Sequence, residues 1–205
     1  MSKARAKKIK LLLLDVDGVM TDGKIFLFPA LGEAPQPLRT KKAVAEGNAN
    51  SSAMIEAKGF NAHDGTGFSL AHLAGIKTGL ITKRVSETVR IRAHDLKIKH
   101  VYQGVSDKLS AFREILKKEN LKPEEAAFVG DDIIDLPVMR NCGLAFAVAN
   151  AREDVKDEAH VITDHRGGEG AVRDAVEYIL KAQGSLARCV DAYIAGRTPT
   201  GDKHR

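Results

Sequence analysis

No apolar run in this sequence is long enough to cross a bilayer. The longest aliphatic stretch, Leu11 to Leu14, sits inside Ile9–Val16, far short of the roughly 18 residues that a span needs. No membrane segment is expected. The basic N-terminus leads into aspartates, not into an apolar stretch and a small-residue cleavage site, so a secretory signal is not expected either. Cysteine is scarce. Nothing suggests that Cys142 and Cys189 pair, and a reducing cytoplasm is the expected compartment. There is no internal repeat, no low-complexity tract and no linker that divides the chain in two.

A broad excess of one charge is missing as well. The net charge of +5 comes from the two ends: residues 1–10 carry five cations and no acid, and residues 197–205 carry a net +2. The 186 residues between them sum to −2, so the ends read as solvated tails and nucleic-acid binding is not expected. What is present is ordinary globular material, 205 residues with 43% hydrophobic and 29% charged, enough for one good-sized domain.

The apolar pattern alternates strands with helices. Ile9–Val16 is a continuous apolar run that reads as a strand buried on both faces. Ile76–Thr82, His100–Tyr102, Ala126–Val129 and Leu144–Val148 read the same way. Between them, Ser86 is an expected N-cap for a helix running to about Leu96, a second helix is expected within Asp107–Glu119, and a third starts after Gly170. This order predicts an α/β fold with a doubly wound, mostly parallel sheet. The segment Gly23–Lys58 breaks the rhythm. Lys24–Phe28 is expected as one arm of a β-hairpin flap, Pro29 to Pro37 as a loop, and Ala43–Ala57 as loop or weak helix. The insert is too short for a separate cap domain. The expected layout is a basic tail over 1–7, one domain over 8–184 carrying the flap and extended loop at 23–58, and a C-terminal tail over 185–205.

In an open parallel sheet, ligands sit beyond the carboxyl ends of the strands. Four polar sets fall at such ends. Asp15 and Asp17 close the first strand, Thr82 closes the second, Lys108 opens the helix after the third, and Asp131, Asp132 and Asp135 follow the fourth. Taken singly, each has an ordinary explanation as a polar strand end, a turn residue, a surface lysine or an N-cap. Together they place carboxylates, a hydroxyl and an ammonium on one edge. Clustered carboxylates need a positive partner. Mg²⁺ suits them, and with a Lys and a Thr it suits a dianionic phosphate. One carboxylate can then attack phosphorus to give an aspartyl-phosphate, and another, two residues on, can move the protons.

These motifs resemble those of the haloacid dehalogenase (HAD) superfamily of phosphohydrolases. Asp15-Val16-Asp17-Gly18-Val19-Met20-Thr21-Asp22-Gly23 matches the first motif, Thr82 the second, Lys108 the third and Gly130-Asp131-Asp132-Ile133-Ile134-Asp135 the fourth. More narrowly, the chain is similar to the 3-deoxy-D-manno-octulosonate 8-phosphate (KDO 8-phosphate) phosphatase family. The narrower signs are Phe60-Asn61-Ala62-His63-Asp64-Gly65, the stretch Arg84 to Arg92, and Gly167-Gly168-Glu169-Gly170-Ala171-Val172-Arg173. The resemblance covers about residues 8–184.

It implies that Asp15 is the nucleophile and a Mg²⁺ ligand, and that Asp17 is the acid/base, with its carbonyl on the metal. Asp131 is implied as the third protein ligand, with Asp135 bracing the metal site or Lys108 and Asp132 supporting it from outside. Thr82 and Lys108 would hold the phosphoryl oxygens. Asn61, His63, Asp64, Gly65, Arg84 and Arg92 would lie near the sugar acid. It further implies a homotetramer with the Lys24–Phe28 hairpin at its interface, and a cytoplasmic role on the way to lipopolysaccharide. The sequence departs from the family's pattern at His63, where Arg or Lys is usual, at Lys83, where Gly is usual, and in its longer segment before Phe60. A nine-carbon, sialic-acid-type sugar-acid 9-phosphate is therefore an alternative substrate. The other readings are a phosphotransferase or mutase of the same superfamily and, without catalysis, a receiver-type signalling domain. The two arginines fit an anionic sugar, since Arg grips a carboxylate with two hydrogen bonds.

Overall fold

The computed structural model describes residues 1–29 and 54–196. The loop expected from Ala30 onward and the basic end at 197–205 lie outside the described residues. The strands are β1 Leu11–Leu14, β2 Phe26–Pro29, β3 Met54–Ala57, β4 Lys77–Ile81, β5 His100–Tyr102, β6 Ala126–Gly130, β7 Leu144–Ala147 and β8 Val161–Ile162. The helices are α1 Ser2–Ala6, α2 Ala62–Leu73, α3 Glu87–Asp95, α4 Lys108–Glu119, α5 Leu136–Met139, α6 Glu153–Glu158, α7 Ala171–Ala182 and α8 Leu186–Ile194. The chain forms two compact units, Lys24–Lys58 and the rest.

In the larger unit six strands form one sheet in the order β5-β4-β1-β6-β7-β8, with every neighbouring pair parallel. Every residue of β1, β6 and β7 is buried, so both faces of the sheet are covered, which is why these strands read as unbroken apolar runs. The chain leaves β1 for β4 and β5, then returns to the other side of β1 for β6, β7 and β8. That reversal opens a crevice at the carboxyl ends of the central strands.

The expected helices start where their caps lie. The Ser86 hydroxyl accepts from Val89 N–H and starts α3, and Asp107 accepts from Leu109 and Ser110 N–H and starts α4. A helix spacing puts Ala111, Phe112, Ile115 and Leu116 of α4, and Val172, Val176, Ile179 and Leu180 of α7, into the core.

Two segments differ from the sequence expectation, and a third, residues 62–73, carried none. Residues 2–6, expected as a tail, form α1, with Ala6 fully buried and the Arg5 guanidinium donating to Gly143 O at 2.8 Å. Residues 186–194, also expected as a tail, form α8, which buries Cys189 and packs Leu186 and Val190 on the core. Residues 62–73 form α2 despite two glycines and a weak apolar pattern. Gly67 is small because α7 passes close by: a Cβ there would stand 3.1 Å from Arg173 Cα.

The smaller unit is an antiparallel pair in which Phe28 faces Ile55 and Leu27 faces Glu56. The Lys24–Phe28 arm is thus matched by Met54–Ala57, the end of the segment expected as loop or weak helix. Its apolar side chains Phe26, Leu27, Phe28 and Ile55 are exposed.

Candidate active site at the carboxyl end of the sheet

Asp15 follows β1, and its N–H donates to Val129 O at 3.1 Å, which extends the ladder with β6 by one residue. Its carboxylate is held at both oxygens. Oδ1 accepts from Val16 N–H at 2.7 Å, and Oδ2 lies 2.8 Å from Lys108 Nζ. Lys108 Nζ also donates to Asp135 Oδ1 at 2.7 Å, and Asp135 Oδ2 accepts from Asp131 N–H at 3.0 Å. A lysine in the first turn of a helix opposes the helix dipole. Here two buried carboxylates compensate it, which is why α4 opens on a cation.

Asp131 completes the cluster. One oxygen each from Asp15, Asp131 and Asp135 lies within 4.8 Å of the others. Asp131 Oδ1 is buried and has no hydrogen-bond partner. Burial and the Asp135 charge push Asp15 up to about 6, against the pull of Lys108. Burial, with Asp135, Asp15 and Asp132, pushes Asp131 up to about 8. Burial opposes the charge on Lys108, but Asp135 and Asp15 outweigh it and hold its ammonium above the ordinary value. Three acids around one ammonium leave a negative excess. An all-oxygen set with one unfilled buried oxygen fits a small hard divalent cation.

Gly18, at φ +91, shows how tightly this edge is built: a Cβ there would overlap Asp131 Oδ2. Thr82 directly follows β4 and is buried. Its N–H donates to Tyr102 O at 2.9 Å, and its hydroxyl accepts from Arg84 N–H at 3.4 Å. Arg84 turns back so that its Nε lies 3.6 Å from Asp17 Oδ2.

The remaining candidates gather around the start of α2. Asn61 Oδ1 caps α2 by accepting from His63 N–H at 2.8 Å, and its Nδ2 donates to Gly168 O at 3.3 Å. The His63 side chain is exposed. Asp64 is only 2% exposed, and its Oδ1 accepts from Arg173 N–H at 3.0 Å, so it caps α7 from a neighbouring helix. Burial pushes the Asp64 carboxyl up to about 6. The Arg92 guanidinium lies over the Phe60 ring, 5.8 Å from its centroid, and a Cβ at Gly65 would stand 3.1 Å from its NH2 nitrogen. Asp132 is exposed and accepts from Ile133 N–H at 2.7 Å, capping the short turn that carries Asp135. The structure therefore gathers Asp15, Lys108, Asp131 and Asp135 into one contact network. It pairs Arg84 with Asp17, and sets Phe60, Gly65 and Arg92 together. Asn150, which had no signal beyond being a polar loop residue, holds the Gly167 N–H at 2.7 Å.

Comparison with known proteins agrees with this geometry. Residues 70–175 match the model of the haloacid dehalogenase-like hydrolases. The 3-deoxy-D-manno-octulosonate 8-phosphate phosphatase KdsC of Yersinia pestis is 40% identical over 182 residues, 89% of this chain and 85% of that protein. The chain belongs to the KDO 8-phosphate phosphatase family of HAD-like hydrolases. The enzyme of the same name from Escherichia coli K12 is also 40% identical, over 183 residues that cover 89% of this chain and 85% of that one. The crystal structure of the Moraxella catarrhalis phosphatase superposes with a TM-score of 0.77 at 36% identity, covering 95% of this chain and 96% of that one. That protein was crystallised with a magnesium ion, a phosphate ion and KDO.

Proposed function

We propose that this phosphatase hydrolyses KDO 8-phosphate through an Asp15 aspartyl-phosphate. The observation that carries the reading is the buried Asp15–Lys108–Asp135 bridge, with the unpartnered oxygen of Asp131 beside it. Mg²⁺ would be held by Asp15, Asp131 and the Asp17 carbonyl, with Asp135 bracing the set. When bound, it would cancel charge on the phosphoryl oxygens and on the clustered carboxylates.

The chain's own residues supply the rest. Val16 N–H and Lys108 aim the Asp15 carboxylate. One of its oxygens forms a bond to phosphorus as the bond from phosphorus to the sugar oxygen breaks. The Asp17 carboxyl gives its proton to the departing alkoxide. The resulting Asp17 carboxylate then takes a proton from a water molecule as that water attacks phosphorus. The acyl-phosphate bond breaks, phosphate leaves, and Asp15 is a free carboxylate again. Thr82 and Lys108 hold the phosphoryl oxygens during both steps. Arg84 and Arg92 serve the sugar carboxylate.

In a receiver domain the phosphoacceptor lies on the third strand, with no counterpart of Asp131 and Asp135 on a later strand, whereas here Asp15 follows the first strand, β1, and Asp131 and Asp135 come after β6. The exposed apolar hairpin supports self-association, since patches of this kind mark association surfaces; the family resemblance makes the assembly a homotetramer and its compartment the cytoplasm. Sedimentation at micromolar concentration tests the assembly, and a stable monomer would contradict it.

The test of the activity is phosphate release from a panel of KDO 8-phosphate, a nine-carbon sugar-acid 9-phosphate and neutral hexose phosphates, with Mg²⁺ and after chelation. Fastest release from KDO 8-phosphate, lost on chelation and lost in Asp15→Asn, is the expected outcome. Ordinary turnover by Asp15→Asn would refute the mechanism, and an isomerised ester with no free phosphate would show a mutase.

A further inference from the structure

The loop that carries Asp17 does not stand on its own. A turn far along the chain lies flat against it: Gly168 N–H donates to Val19 O at 3.1 Å. A Cβ at Gly167 would overlap the Gly18 carbonyl, and one at Gly168 would come 2.5 Å from Asp22 N. No side chain larger than hydrogen fits between the two backbones.

Two asparagine side chains hold this glycine turn in place. Asn61 Nδ2 donates to Gly168 O at 3.3 Å, and Asn150 Oδ1 accepts from the buried Gly167 N–H at 2.7 Å. The Asn150 turn is itself tied to both sides of the site. Arg152 N–H donates to Asp131 O at 2.9 Å, and Ala149 N–H donates to His165 O at 3.2 Å. The ring closes where Gly18 packs on the Asp131 carboxylate. Among the described residues, Asn150 is the side chain in this ring that joins the Asp131 side to the glycine turn.

We infer that Asn150 is a positioning residue of this phosphatase: by holding the Gly167 N–H it presses the glycine turn onto residues 18–22 and so fixes Asp17 against Asp15 and Asp131. The inference rests on the reading of Asp15 and Asp17 as the reacting pair. Without the Asn150 oxygen, the Gly167 N–H is left buried and unpaired. The turn then gains by lifting towards water, and the loop beneath it loses its cover. The nucleophile stays fixed to the sheet, while the acid/base drifts.

Asn150→Ala removes the acceptor, and Asn150→Asp keeps one. The expected result for Asn150→Ala is a fall in kcat of roughly ten- to a hundredfold, the scale of a small misplacement at a reacting centre, with KM changed little. Asn150→Asp should restore most of kcat. Amide hydrogen exchange over residues 16–22 and 165–170 should quicken in Asn150→Ala and stay close to wild type in Asn150→Asp. If Asn150→Ala does not fold, Asn150→Ser, with its shorter reach, replaces it. Equal kcat for Asn150→Ala and wild type, equal losses in Asn150→Ala and Asn150→Asp, or unchanged exchange would each overturn the inference. The exchange measurement needs no substrate. It decides the clamp even if wild-type protein releases phosphate from no ester of the panel, a result that would refute the phosphatase reading instead.

Discussion

Asp64 offers a quantitative test of how burial shapes this protein. Its carboxyl is 2% exposed; Oδ1 caps α7, and Oδ2 has no hydrogen-bond partner. Burial raises its pKa from the ordinary 3.8 to about 6. A carboxyl whose folded pKa is raised binds its proton more tightly in the native state. It therefore adds stability below the unfolded pKa, and that stability is lost as pH rises through about 6. Asp64→Asn keeps the acceptor for Arg173 N–H but does not titrate. Its new amide donor carries a cost that is the same at every pH, so the useful quantity is the change with pH. With the two pKa values above, proton uptake favours the native wild type by about 1.4 kcal/mol at pH 5 and by about zero at pH 8. Urea denaturation of both proteins, at pH 5 and pH 8 and at one protein concentration, should show the stability difference moving by about that amount in favour of wild type at the lower pH. A difference that does not move with pH would mean that Asp64 titrates alike in both states, and the argument from burial would fail.

Lys108→Met should remove turnover and destabilise the fold by about 3–5 kcal/mol in denaturant melts, because it leaves the buried Asp15 and Asp135 without their shared cation. Gly18→Ala places a methyl group on the Asp131 carboxylate at a positive φ. It should lower kcat and weaken Mg²⁺ binding measured by calorimetry, whereas Gly75→Ala, strained in φ but meeting no atom, should cost stability alone. Arg84→Ala should raise KM for a sugar-acid phosphate far more than for a hexose phosphate in the same release assay. Equal losses on both substrates would mean that Arg84 serves the phosphate or the fold.

The residues at the carboxyl edge were legible because sheet topology leaves a mark on the sequence. Residues buried on both faces of a parallel sheet must be apolar, so the first polar residues after Leu14, Ile81 and Gly130 mark the carboxyl edge without any coordinates. Ser86 was readable as a cap because capping is settled by three or four consecutive residues. The fold class, the positions of β1, β4, β5, β6 and β7, and the places of Asp15, Asp17, Thr82, Lys108, Asp131 and Asp135 at the sheet edge follow from such local rules.

The terminal helices and α2 did not follow. Most of their stability comes from the surface that they meet, which lies far away in the chain. Ala6 and Cys189 are buried by other elements, and α2 carries Gly65 and Gly67, unfavourable in an isolated helix, because Arg92 and Arg173 press against them. The same holds for the finer parts of the site. That Lys108 bridges two particular carboxylates, that Asp64 caps α7, that Arg84 leans on Asp17 and that Asn150 holds Gly167 are contacts between segments 17 to 109 residues apart. Short-range chemistry selects which residues stand at the edge of the sheet; only the packed tertiary structure decides which of them touch.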